Sequence, residues 1–450
     1  MWLAAAAGCG RNLGGAARTD GAPGRTSGDA WTEAAGSFDG SRAGDVHGSV
    51  DRPVDEGATG ADAAVDGGVD TKGGADGAAS DAEPPRCVSS GGLWFSPPQA
   101  LPAVGGNRGF QMAAGVDRQL AVAAGSAGGP GVFYVDSLDG GRTFRPAMRL
   151  GNFGPDNVQI ALGPNHVYLT SALFTLSSST VLWDGQLDSL IDPSSFEVIQ
   201  FGPEGTYMGT PVTAGDGRVA LLLQNGTVDT APTEGEYIST ASSDASFGDP
   251  HLLFWPAVCA GGIYHSNGSL FIAYVLQDVS GYSFMEMRWS SDNGATFSDP
   301  VSGDASAGQI GCPKLSELPS GQLLAITSVG SALNSPARTI ARPFDVSANR
   351  FGATVTVEEG KVLCFDAAHT ASGRQFVTST FGDPGMPPTG VDLRYSDDGG
   401  LTWSDPLAIP GISPTDECPV LAASADELYI LWWDAAQLFL SRAGASSVCE

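Results

Sequence analysis

From residue 90 onward the chain repeats one unit about every 50 residues, and no other feature narrows its fold so far. Aromatic anchors fall at Phe95, Phe144, Phe196, Phe247, Phe297, Phe351 and Trp403, at spacings of 49, 52, 51, 50, 54 and 52 residues. A second register agrees. Short apolar runs begin at Leu120, Val167, Val219, Leu270, Leu323, Phe376 and Leu428, spaced 47, 52, 51, 53, 53 and 52 residues apart. Each run follows a turn, such as Ser266-Asn267-Gly268 or Pro319-Ser320-Gly321. Short β-rich runs between Gly, Asn, Asp and Pro turns read as hairpins. Four short strands per unit, arranged around an axis, make a β-propeller blade, and radial repetition removes the open edges of separate sheets. The expected fold is all-β, a seven-bladed β-propeller, with six blades as the alternative if one weak repeat is not a blade.

The phase of the repeat says how such a ring closes. The C-terminal unit, from Pro419 to Arg442, supplies three strands and lacks a fourth. Leu93-Trp94-Phe95 has the character of a fourth strand with no first three before it. The two ends are expected to complete one composite blade. Cys87 and Cys449 flank those ends, so a Cys87–Cys449 disulfide would clasp the ring. Closing so long a loop is worth ~4–5 kcal/mol in the chain-entropy model. Cys259, Cys312, Cys364 and Cys418 recur at spacings of 53, 52 and 54, the same place in four consecutive units. Cys259–Cys312 and Cys364–Cys418 are the simplest pairs. Four buried thiols are the alternative, and a four-cysteine zinc site fits poorly because adjacent blades set the sulfurs on an arc. Six paired cysteines plus Cys9 account for all seven and point to an exported protein.

Composition separates the N-terminal part. Between Asp45 and Glu83 there are ten acids and two bases, Arg52 and Lys72. Residues 10–86 hold too little apolar surface to offset ordering entropy and read as a disordered acidic spacer rich in Gly, Ala and Asp. Residues 1–9 are a short apolar run ending in Ala7-Gly8-Cys9. They resemble a bacterial lipoprotein signal, which implies lipidation at Cys9 and a surface-tethered or outer-membrane protein, with secretion as the alternative. The formal charge is −28, and Lys occurs only at 72, 314 and 361. That balance argues against nucleic acid, whose phosphates need Lys and Arg. It leaves membrane attachment only to a lipid anchor.

Three units carry one turn: Ser137-Leu138-Asp139-Gly140-Gly141-Arg142-Thr143-Phe144, Ser290-Ser291-Asp292-Asn293-Gly294-Ala295-Thr296-Phe297 and Ser396-Asp397-Asp398-Gly399-Gly400-Leu401-Thr402-Trp403. All fit Ser-x-Asp-x-Gly-x-Thr-aromatic. A short carboxylate can accept the backbone N–H groups of a tight turn, and Gly tolerates positive φ. The pattern resembles the Asp-box (BNR) repeat of the sialidase-like propellers, over about residues 90–445. The resemblance implies that these boxes are structural and lie away from the ligand, so Asp139, Asp292 and Asp398 are not expected to be catalytic.

Sialidases of that family hold the substrate carboxylate with three Arg, and use a Tyr nucleophile assisted by a Glu and an Asp acid/base. Arg108 sits where the first Arg would lie. Glu204 and Tyr207 could imitate the Tyr/Glu pair. The loop from Ala124 to Pro130 has no Asp, and Arg288, Arg394 and Arg442 are expected at the opposite end of the ring. The loops at the start of the inner strands are acidic instead, with Asp156, Glu204, Asp278, Asp383, Asp416 and Glu417. Such a face repels sialic acid and suits a cation, a cationic partner or neutral sugar hydroxyls. The five His, at 47, 166, 251, 265 and 369, show no metal-ligand spacing, and His166 and His265 are expected at the surface. The expected function is a non-enzymatic propeller that binds a glycan or protein over its central channel, as a monomer. A divergent exo-sialidase-like glycoside hydrolase is the alternative, and a structural adaptor is a third. No cofactor is implied, and structural calcium in the acidic loops stays open.

Overall fold

The computed structural model describes residues 87–102, 109–125, 131–150, 158–173, 179–186, 197–201, 206–225, 235–241, 247–248, 250, 251–254, 259–277, 283–303, 311–330, 338–383, 386–413, 418–434 and 437–449. The signal-like segment ending at Cys9 and the acidic spacer lie outside the described residues.

Among the described residues the regular structure is nearly all strand. The leading segment forms β1 (Val88–Ser90), β2 (Leu93–Phe95) and β3 (Gln99–Ala100). Sheet I follows, with β4 (Phe110–Ala114), β5 (Leu120–Gly125), β6 (Val132–Ser137) and β7 (Met148–Leu150). Sheet II has β8 (Gln159–Leu162), β9 (His166–Leu173), β10 (Ser179–Gln186) and β11 (Glu197–Phe201). Sheet III has β12 (Thr206–Thr213), β13 (Val219–Asn225), β14 (Gly235–Ala241) and β15 (His251–Phe254). Sheet IV has β16 (Cys259–Tyr264), β17 (Leu270–Gln277), β18 (Ser283–Ser290) and β19 (Val301–Ser302). Sheet V has β20 (Lys314–Glu317), β21 (Leu323–Val329), β22 (Arg338–Asp345), β23 (Arg350–Phe351) and β24 (Val355–Glu358). Sheet VI has β25 (Val362–His369), β26 (Gln375–Phe381) and β27 (Gly390–Ser396). Sheet VII is built on β28 (Val420–Ala423), β29 (Leu428–Asp434) and β30 (Gln437–Gly444).

Each sheet is an antiparallel meander, and the first strand of each touches the first strand of the next, from β4 round to β28 and back to β4. The chain is an all-β propeller. Sheet VII closes as the repeat phase demands. Trp94 and Phe95 of β2 pair with Gly444 and Ala443 of β30, and β3 pairs with the same strand. Among the described residues the ring shows six full blades, not the expected seven, in line with the six-blade alternative. Six sheets hold four or more strands, whereas sheet VI holds three, with a single Leu393↔Leu407 bridge where its fourth strand would run.

Burial explains the patterning. Second strands lie inside their sheets, covered on both faces by neighbouring sheets. They therefore read as unbroken apolar runs, and Leu270 to Val275 of β17 are almost fully buried. Third strands lie farther out and alternate. In β18, Met285 and Met287 are buried while Phe284, Glu286 and Arg288 are half-exposed. The repeat aromatics fill the seams. Phe95 is buried, Phe144 packs on the core between sheets VII and I, Phe297 on that between III and IV, and Trp403 on that between V and VI.

The three repeated turns have one geometry. Ser137 Oγ donates to Asp139 Oδ1 at 2.7 Å and accepts from Gly141 N–H at 2.8 Å. Asp139 Oδ1 accepts from Arg142 and Thr143 N–H at 3.0 and 2.9 Å, and Oδ2 accepts from Thr143 Oγ1 at 2.6 Å. Ser396, Asp398, Gly400 and Thr402 repeat this, as do Ser290, Asp292, Gly294 and Thr296, except that Ala295 N–H donates to the Asp292 carbonyl oxygen at 3.4 Å. Gly141, Gly294 and Gly400 stand at φ of 73°, 85° and 86°, the left-handed region that a side chain strains. The Thr296 hydroxyl leads the bonds that hold the Asp292 carboxyl down at about 2. Burial pulls Asp139 and Asp398 the other way, but their several donors outweigh it and both are lowered.

All six cysteines from residue 87 onward are paired. Cys87–Cys449, Cys259–Cys312 and Cys364–Cys418 have Cα separations of 5.9, 5.5 and 6.2 Å. Three disulfides fit an oxidising, exported setting.

Candidate functional site

The inner strands all begin at one end of the ring, and that end carries the loops expected to hold a ligand. Arg108, Asp156, Glu204, Asp278, Asp416 and Glu417 lie outside the described residues. Tyr207 stands in β12 where the register to β13 shifts, at the loop end of that strand. Asp383 directly follows β26. It is exposed and pairs with the Lys361 ammonium just before β25, and Gly382 N–H donates to the Lys361 carbonyl at 3.0 Å. One strand away, Arg338 faces Glu359 at 3.9 Å, both exposed. Two described cations of this face, Lys361 and Arg338, thus already carry carboxylate partners.

Below the mouth lies a group that the sequence did not announce. Lys314 of β20 reaches Asp366 of β25, Nζ to Oδ1 at 2.9 Å, and the other Asp366 oxygen accepts from Leu421 N–H of β28 at 2.8 Å. Asp366 is 3% exposed. One carboxylate therefore touches three consecutive inner strands. Lys314 and Asp366 each come two residues after a paired cysteine, so each shares its cysteine's strand face. That offset, with the scarcity of Lys, was the available signal.

A second charged group sits between sheets V and VI, on outer strands. The Arg394 guanidinium of β27 pairs with Glu358 of β24 and donates to Ser404 C=O at 2.8 Å. Asp392, two residues before Arg394 on the same strand face, has a buried Oδ1 with no partner. Burial, and then the Glu358 charge, push its carboxyl up to about 7 against the opposing pull of Arg394. Arg288 likewise spends its guanidinium on its own sheet, where Nε donates to Tyr274 Oη at 3.0 Å. Both arginines stand on third strands, away from the inner-strand starts.

His265 departs from its expected surface position. It is 8% exposed, and its Nε2 lies 2.9 Å from Gly321 C=O and 3.4 Å from Glu317 of the next sheet. Its Nδ1 accepts from Asn267 N–H at 3.1 Å. Turn residues between first and second strands touch the next sheet's turn, a contact no local pattern encodes. Among the described residues no group of three or more His, Cys, Asp or Glu could hold a metal ion. No described helix is long and apolar enough to cross a membrane.

No family model matches this chain, and no curated protein matches it. Solved structures do. A lectin from Burkholderia pseudomallei superposes with a TM-score of 0.55 at 9% identity, covering 75% of this chain and 96% of the lectin. An ulvan lyase of a polysaccharide lyase family, bound to a GlcA–Rha3S sugar, gives 0.50 at 11% identity, over 76% and 95% of the two chains. A Trypanosoma rangeli sialidase gives 0.42 at 15% identity over 76% of this chain and 55% of its own length. The chain shares the propeller fold of the lectin and the lyase, and such identities speak to the fold alone.

Proposed function

We propose that this chain is a glycan-binding propeller whose ligand sits over the channel mouth, on the face where the inner strands begin. One observation carries the reading. Two described cations of that face, Arg338 and Lys361, face Glu359 and Asp383, and both acids stay well exposed. The exposed oxygens of these paired carboxylates can still accept hydrogen bonds from sugar hydroxyls. An acidic sugar would have to displace them from their cations first. A glycan-binding role also agrees with the lectin and lyase neighbours, whose fold it shares. Family membership among the Asp-box propellers belongs to the same proposal, and the three turns of like geometry support it.

A glycoside hydrolase is the second reading, favoured by Asp392. A carboxyl raised to about 7 beside a second carboxyl, Glu358, has the chemistry of an acid/base pair. Its place between outer strands and its tie to Arg394 weigh against substrate access. A glycan array with the purified chain, run beside a fluorogenic sialoside assay, separates the two. Binding to neutral glycans without turnover supports the first reading. Turnover abolished by Arg108→Ala or Asp392→Asn overturns it. Attachment through Cys9 to a cell surface remains a proposal, and mass spectrometry for a lipidated N-terminal peptide tests it.

A further inference from the structure

The disulfides are not spread evenly round the ring. Between residues 88 and 258, which span sheets I to III, there is no cysteine. Cys259–Cys312 bolts the inner strand of sheet IV to the segment entering β20 of sheet V. Cys364–Cys418 bolts β25 of sheet VI to the segment entering β28 of sheet VII. The remaining gap, between V and VI, is the one that Lys314 and Asp366 span at 2.9 Å. Asp366 also reinforces the join between VI and VII through Leu421 N–H. Cys87–Cys449 then ties the leading strand to the end of sheet VII.

We propose that these links form a girdle, disulfide, ion pair, disulfide, that makes sheets IV to VII one redox-sensitive arc and leaves sheets I to III as the arc that opens first. The physical reason is direct. Separating two sheets joined by a disulfide requires either breaking a covalent bond or unfolding both sheets together. Separating V from VI breaks the ion pair between Lys314 and a carboxylate that is 3% exposed in the closed ring. Opening between sheets I, II and III meets no covalent restraint. There the seams are apolar cores and hydrogen bonds such as Thr213 Oγ1 to Leu162 C=O at 2.8 Å. Local opening follows the weakest cooperative unit.

Hydrogen exchange of the full oxidised chain, read by mass spectrometry, tests this. Amides of β17, β21, β26 and β29 should exchange about tenfold or more slowly than those of β5, β9 and β13. All seven are second strands, so strand position is matched. Reduction to free thiols should bring the first group towards the second and leave β5, β9 and β13 within about twofold of their former rates. Asp366→Asn in the oxidised chain should speed β21 and β26 and spare β17. Equal exchange in all seven strands of the oxidised chain overturns the girdle. So does a difference that survives complete reduction, because apolar packing would then be its source. An Asp366→Asn profile identical to wild type removes the ion pair from the girdle and overturns its continuity between V and VI.

Discussion

At the scale of single residues, buried oxygens divide into those with complete partners and those without. Ser290 Oγ is an example of the first kind. It is 1% exposed, donates a hydrogen bond to Asp292 and accepts one from Gly294 N–H. Ser290→Ala removes the buried Oγ that accepts from Gly294 N–H and donates to Asp292. The expected loss is about 1–3 kcal/mol in denaturant unfolding, with an unchanged m-value. Asp392 is of the second kind. Its carboxyl titrates at about 7 in the fold against an ordinary 3.8, so the folded chain holds this proton longer than the unfolded chain does. The stability it contributes is complete below about pH 4 and is lost as the pH rises through 7. Asp392→Asn should remove that slope and raise the Tm at pH 8 relative to wild type. A Tm difference that is the same at pH 4 and pH 8 would count against the shift. The serines were legible in sequence because their partners lie within four residues. Asp392 was not, because Glu358 comes from another sheet.

At the scale of elements, the strand register decides what a residue meets. Second strands were anticipated almost to the residue: β5, β13, β17, β21 and β29 begin where the apolar runs begin, at Leu120, Val219, Leu270, Leu323 and Leu428. Their continuous hydrophobicity reflects burial on both faces and is visible in any window of six residues. Inner strands are shorter and their neighbours are remote. Gly261 shows the difference. A Cβ there would collide with the Pro313 carbonyl oxygen of the next inner strand. Gly261→Ala must push two backbones apart, and a loss of about 2–3 kcal/mol or failure to fold is expected in thermal melts. The Lys314–Asp366 pair belongs to the same class. Its residues are 52 positions apart, and only the packing of sheet VI against sheet V brings β20 and β25 side by side.

For the whole molecule the decisive event is the meeting of the two ends. β2 and β3 add to β30, and Cys87–Cys449 fixes them there across a sequence separation of 362. Mass spectrometry of the unreduced protein should find that cross-linked peptide. Cys87→Ser should lower the Tm and open residues 87–100 to limited proteolysis, while sheets II to V keep their protease resistance. Cleavage spread evenly over the ring in that variant would show that the clasp does not act locally.

Sequence alone determined the repeat period, the second strands, the chemistry of the Ser-x-Asp turns and the composite closure, and it offered the cysteine pairs beside free thiols as the alternative. Each of these rests on contacts within a few residues or on a phase that recurs every unit. Tertiary structure decided the strand complement of sheet VI, the burial of His265, the raised carboxyl of Asp392 and the bridge from Lys314 to Asp366. Those depend on residues some 34 to 56 positions apart meeting across a seam between sheets, and a burial or a charge acquires its energy only when the seam has closed.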